Sequence, residues 1–105
     1  MAQFNAYENR NPASCKRYPY LLDIQSDLLE ELRTTVVVPL CPAAQAESLR
    51  MTYLNPIIEI DGERYIALTQ ELAGIERKRL GKTVHDLGIY RDQIMAAVDF
   101  LITGI

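Results

Sequence analysis

Apolar positions near the end of the chain recur with the spacing of one helix face. Tyr90, Ile94, Ala97, Val98, Leu101 and Ile102 form the stripe, which predicts an amphipathic helix over 88–105 buried along one side. At roughly 100° per residue, Asp92, Ala96, Asp99 and Thr103 fall on the opposite side, and Phe100 projects off the stripe and needs a partner of its own. The last residues, Ile102-Thr103-Gly104-Ile105, set apolar side chains beside a carboxylate. That end is expected either to dock onto its own fold or to be bound by something else.

Upstream the period shortens to two. Gln3–Tyr7 alternates as a half-buried strand does, and Tyr18–Gln25 reads as a second strand whose Pro19 puts that end at an edge or bulge. Thr34–Leu40 is the strongest β signal, because three successive valines suit a pleated surface covered on both faces, with Pro39 closing it. Asn55–Thr69 is a hairpin: Asp61-Gly62 supplies the positive φ angles of a two-residue turn. This register sets Glu59 opposite Arg64 and Ile58 opposite Tyr65. Both hairpin faces are then apolar, one expected to face inward and the other a second subunit.

Between these elements, 8–16 reads as a loop. Ser26–Arg33 is left open between a single helical turn and a loop that throws Leu28 and Leu29 outward. Cys41–Arg50 and Ile75–Leu80 are left open, the first to a short helix with Pro42 in its first turn and the second to a short last strand beyond the five. Thr83–Gly88 leads into the terminal helix, with Gly88 as its cap. Five short strands and one helix predict a single domain over 1–105, mainly β with a C-terminal α-helix, built as a small, partly open antiparallel barrel.

Composition narrows the function classes. A hydrophobic fraction of 49% and a charged fraction of 24% place the chain among globular domains and away from disordered or fibrous ones. Its formal net charge of −3 opposes unaided binding to a phosphate backbone and suits a protein partner, particularly a basic one. No stretch approaches the roughly 18 apolar residues of a spanning helix, and the first twenty residues lack a signal-peptide core. No membrane partner and a cytoplasmic location are therefore expected. Cys15 and Cys41 are too few and too far apart for a disulfide framework or a Cys-x-x-Cys site.

Catalytic signals are sparse. His85 is the single histidine, which excludes a two-His metal site, and beside Asp86 it reads as a turn or cap residue. Gly74 and Gly81 lack the Gly-Lys-Ser/Thr ending of a phosphate loop, so neither cofactor nor metal is expected. The run Arg77-Lys78-Arg79 reads as a solvated face. An RNA-cutting reading would draw on Arg64, Thr69, Arg77 and Arg79, against the acidic balance of the chain.

Several segments taken together resemble the CcdB family of bacterial toxins. They are Gln3-Phe4, Asp23-Ile-Gln-Ser-Asp-Leu-Leu-Glu30, Val37-Val-Pro-Leu40, Pro56-Ile-Ile-Glu-Ile60, Leu68-Thr69 and the closing Gly104-Ile105, in the family's order and spacing. The resemblance implies a homodimer of SH3-like barrels with C-terminal helices, a fold shared with the MazF-type RNA-cutting toxins. It implies a type II toxin that is not an enzyme, a topoisomerase poison that binds the DNA gyrase A subunit and traps the gyrase–DNA cleavage complex. A cognate, CcdA-like antitoxin would neutralise it, and the two together would bind operator DNA and repress their own operon. The gyrase-binding residues carried over are Leu28, Leu29, Asp99, Thr103, Gly104 and Ile105. Thr103 stands where a plasmid-borne member has Trp, Asp99 where it has Asn, and Glu76 where the family has Pro. The alternatives are a MazF-like mRNA-cutting toxin on the same fold, or an inactive homologue that binds antitoxin only.

Overall fold

The computed structural model describes residues 2–46, 48 and 50–104. The elements in chain order are β1 (Asn5–Asn9), β2 (Tyr20–Asp23), β3 (Thr34–Pro42), α1 (Ala43–Ala46), β4 (Ile57–Ile60), β5 (Glu63–Ala67), β6 (Ala73–Glu76), β7 (Leu80–Asp86) and α2 (Arg91–Thr103). The strands make one antiparallel sheet in the order β4-β5-β3-β2-β1-β7, with β6 also paired to β3. The sheet curls around one core and α2 closes it, giving the mainly β, partly open barrel that the residue pattern predicts.

The valine-rich strand is the axis of this arrangement. Along one side of β3 runs β2; along the other, Thr34–Val37 pair with β6 and Leu40–Pro42 with β5. Alternation sends Val38 and Leu40 into the main core with Phe4, Ala6, Leu22, Ile58, Ile60, Tyr65 and Ile94. Val37 goes to the opposite face, against Tyr7 and Leu80. Pro39 does not close the strand, contrary to expectation. It sits between the β6 and β5 registers, where the ladder on that side is interrupted and a missing N–H leaves no partner unmet.

The hairpin has the expected register, Glu59 opposite Arg64 and Ile58 opposite Tyr65, with φ of 51° at Asp61 and 82° at Gly62. Its second face is not left for another subunit. Ile66 and Leu68 are buried with Cys41 and Ala43 of the same chain, and Tyr18, Ala46 and Ile57 pack against them.

Other boundaries differ for local reasons. The first strand starts at Asn5, because Phe4 takes a left-handed φ of 67° that breaks the extended run and turns its ring into the core. Among the described residues there are seven strands rather than five. β6 lies earlier than the expected 75–80 strand, and 80–86 is β7 paired with β1 rather than a lead into the helix. The strand read over 34–40 runs to Pro42, so the helix expected from Cys41 shrinks to Ala43–Ala46; its continuation at Glu47 and Leu49 lies outside the described residues. Gly88 opens a 3-10 turn, and the N-cap of α2 is Tyr90.

Candidate partner-binding surface

Two exposed segments carry the residues singled out from the sequence. The first is the loop between β2 and β3. Asp27–Leu29 forms a single 3-10 turn capped by Ser26, whose Oγ accepts from the Leu28 amide at 3.1 Å. Both open readings of this stretch therefore hold at once: it is a helical turn, and it throws its leucines outward. Leu28 is 94% exposed, Leu29 47% and Leu32 50%. Three leucines in five residues, one open and two about half covered, are unusual for a surface that meets only water.

The loop is held by hydrogen bonds rather than by burial. The Gln3 amide donates to Asp27 Oδ1 at 2.8 Å, and Gln25 Nε2 donates to the Thr34 carbonyl. At its root Asp23 is buried, accepting from Thr35 Oγ1 at 2.8 Å and from the Gln25 amide at 3.2 Å. Burial pushes the Asp23 carboxyl above its ordinary range, against the opposing pull of those two donors and of the nearby Arg77 charge. Arg77 reaches across from the end of β6 and donates to the carbonyls of Leu32 and Leu29.

The second segment is the end of α2. Ile94 and Ala97 are buried, and Tyr90 ties the start of the helix to the sheet edge by accepting the Glu59 amide at 3.1 Å. The apolar stripe does not stay covered. Leu101 is 37% and Ile102 74% exposed, so the last turn runs beyond the sheet's cover. Phe100 finds its partner within the chain, in Tyr53, at 6.1 Å between ring centroids. Asp99, Thr103 and Gly104 are exposed there, and the Thr103 hydroxyl donates back to the Asp99 carbonyl at 2.7 Å. Gly104 ends the helix with φ of 73°, a left-handed cap in which its amide donates to the Phe100 carbonyl. Ile105 lies outside the described residues.

The loop leucines are thus held from Gln3 and Arg77, and α2 packs against the Thr69–Glu71 turn and the turn that precedes it. Sequence reasoning missed Leu32 and read Arg77 as part of a solvated face, whereas its guanidinium is bound to two loop carbonyls. The three-residue step from Leu29 could have flagged Leu32; a carbonyl clamp by Arg77 has no local signature.

The residues of the RNA-cutting reading are otherwise engaged. Thr69 is buried, Arg77 is bound by two carbonyls, and Arg79 and Lys78 pair with Glu76 at 3.5 and 3.6 Å. His85 stands on β7 with Nδ1 at 3.2 Å from the Asp86 carbonyl, not in a turn; Asp86 does make a turn, its Oδ1 accepting the Gly88 amide. Cys15 and Cys41 are free thiols, and burial pushes the Cys41 thiol above its ordinary range. Among the described residues no group of three or more His, Cys, Asp or Glu side chains could hold a metal ion, and no helix is long and apolar enough to cross a membrane. A groove of about 560 Å³ lies between the 9–18 loop and 71–79, with Leu21, Val37 and Pro39 on its floor and Arg10, Lys78 and Arg79 among its lining. These surfaces are suited to binding.

The fold is similar to that of a mycobacterial endoribonuclease solved in complex with its cognate antitoxin. The TM-score is 0.76 over 97% of this chain and 94% of that one, at 10% identity, which speaks to the fold alone. The profile of the CcdB protein family matches residues 3–104, nearly the whole length. The chain belongs to the CcdB family.

Proposed function

We propose that this protein is a toxin of a type II toxin–antitoxin system that binds the DNA gyrase A subunit and traps gyrase on cleaved DNA. The observation that carries the reading is the family match over residues 3–104. Leu28, Leu29, Asp99, Thr103 and Gly104, which the family resemblance assigns to the gyrase contact, are all exposed and sit beside uncovered apolar side chains. In this reading the protein acts by binding and not by catalysis, and it works as a homodimer. A cognate antitoxin neutralises it, and the pair binds operator DNA.

Thr103 supplies less contact area than the Trp of a plasmid-borne member. Loss of an aromatic anchor removes as much as several kcal/mol from an interface. Leu28, Leu29 and the neighbouring Leu101 and Ile102 are the apolar groups left to compensate. The RNA-cutting alternative is disfavoured by the burial of Thr69 and the engagement of Arg77.

Titrating purified protein against the gyrase A subunit tests the reading. Saturable binding is expected, weakened about tenfold or more by Leu28→Asp, which places a charge in the interface. Cleavage of RNA by the purified protein, without gyrase binding, would move the assignment to the alternative. Antitoxin binding with neither activity would mark an inert homologue.

A further inference from the structure

We infer that Arg77 is a positioning residue for partner binding, clamping the loop between β2 and β3 so that Leu28, Leu29 and Leu32 stand out as one apolar ridge. The inference rests on the proposed role of that loop in the gyrase contact.

Arg77 makes three bonds to the loop's second half. Its Nε donates to the Leu32 carbonyl at 2.6 Å, its Nη2 to the Leu29 carbonyl at 3.0 Å, and its backbone amide to the Arg33 carbonyl at 2.9 Å. The planar guanidinium fork fixes the two side-chain bonds relative to one another, which a lysine ammonium cannot do. The donor itself is well anchored, one residue beyond the Thr34–Glu76 pair that joins β3 to β6.

Among the described residues, no other side chain donates to the carbonyls of 29–33; Gln25 reaches the Thr34 carbonyl just beyond them. Leu28 is open and Leu29 and Leu32 are about half covered, so apolar burial holds the loop only in part, and the Gln3–Asp27 and Ser26 bonds hold the first half. Leu29 and Leu32 are bonded to one another through the Leu32 amide, so Arg77 bridges both ends of one turn. Short exposed loops without buried contacts open at low free energy, and a surface that must be ordered on binding loses affinity. Holding the turn in advance removes that loss. Lys78 and Arg79, the other members of the basic run, pair with Glu76 instead.

The test compares Arg77→Ala and Arg77→Lys with Lys78→Ala, a neighbouring loss of charge, by amide hydrogen exchange and by binding to the gyrase A subunit. In Arg77→Ala the Leu29, Glu30 and Leu32 amides are expected to exchange about tenfold faster, and gyrase binding to weaken about tenfold, with Leu22 and Val38 as protected as before. Arg77→Lys should recover part of both effects, since it keeps the charge and loses the fork; Lys78→Ala should show neither. Should Arg77→Ala fail to fold, Arg77→Lys carries the same comparison. Unchanged loop exchange overturns the proposal, and so does a loosened loop that binds gyrase as wild type does. If wild type does not bind gyrase, the functional reading falls and takes the binding role of Arg77 with it; loop exchange then decides separately whether Arg77 is a clamp.

Discussion

Asp23 places a carboxylate in a buried site at the root of the exposed leucine loop, and this has a consequence in pH. Burial raises its folded-state pKa above the ordinary value of 3.8, so the folded protein holds the proton more tightly than the unfolded chain. The stabilisation this brings is fully present below the unfolded value and is lost as pH rises through the folded one. Subtracting the unfolding free energy of Asp23→Asn from that of wild type should therefore give a difference that falls with rising pH over this window and is flat above it. A flat difference throughout would show that the Thr35 and Gln25 bonds cancel the burial. Burial of Asp23 was not legible locally, because its neighbours Gln25, Ser26 and Asp27 look like an ordinary polar turn. Phe4 was hidden for a different reason: a left-handed φ at a bulky residue is imposed by tertiary contacts, here the Phe4 amide to the Asp23 carbonyl and the Leu87 amide to the Phe4 carbonyl.

At the level of elements, α2 divides into an anchored half and an overhanging half. Ile94→Ala removes a side chain only 2% exposed from the core and is expected to cost about 2–5 kcal/mol in urea unfolding. Leu101→Ala is expected to stay within about 0.5 kcal/mol for the isolated chain, while weakening whatever covers the helix end. Equal losses at the two positions would mean that the last turn is packed after all. The hairpin's register was legible because its evidence is local: a turn dipeptide, an opposed Glu–Arg pair and alternation on both sides; what its second face packs against was not. β3 was legible from its valines, though its true end was not, since the tolerance of Pro39 depends on how two distant strands divide its flank. β7 was missed because Leu80 is its single buried residue and the rest reads as a polar connection. The helical period was right over Arg91–Thr103, with Gly88–Tyr90 a 3-10 turn instead, yet periodicity cannot say how far the sheet extends beneath it.

For the whole molecule, the exposed apolar positions Ile89 and Met95 lie outside the proposed gyrase contact and are open to the proposed homodimer. Light scattering at micromolar concentration should then give twice the 11.9 kDa chain mass. A monomer at that concentration would leave these side chains to a different partner. The candidate site was legible chiefly through the family resemblance; the parts it does not reach, Leu32 and the Arg77 clamp, depend on residues more than forty positions apart meeting across β3 and β6. The most direct test of the account is a gyrase–DNA cleavage assay with supercoiled plasmid and ATP, run with the wild-type protein beside a Gly104–Ile105 deletion. The account predicts protein-dependent linear DNA that vanishes with the deletion while the fold and dimer persist. Active gyrase that yields no linear DNA with wild type, or a folded deletion that poisons gyrase as well as wild type, would contradict it.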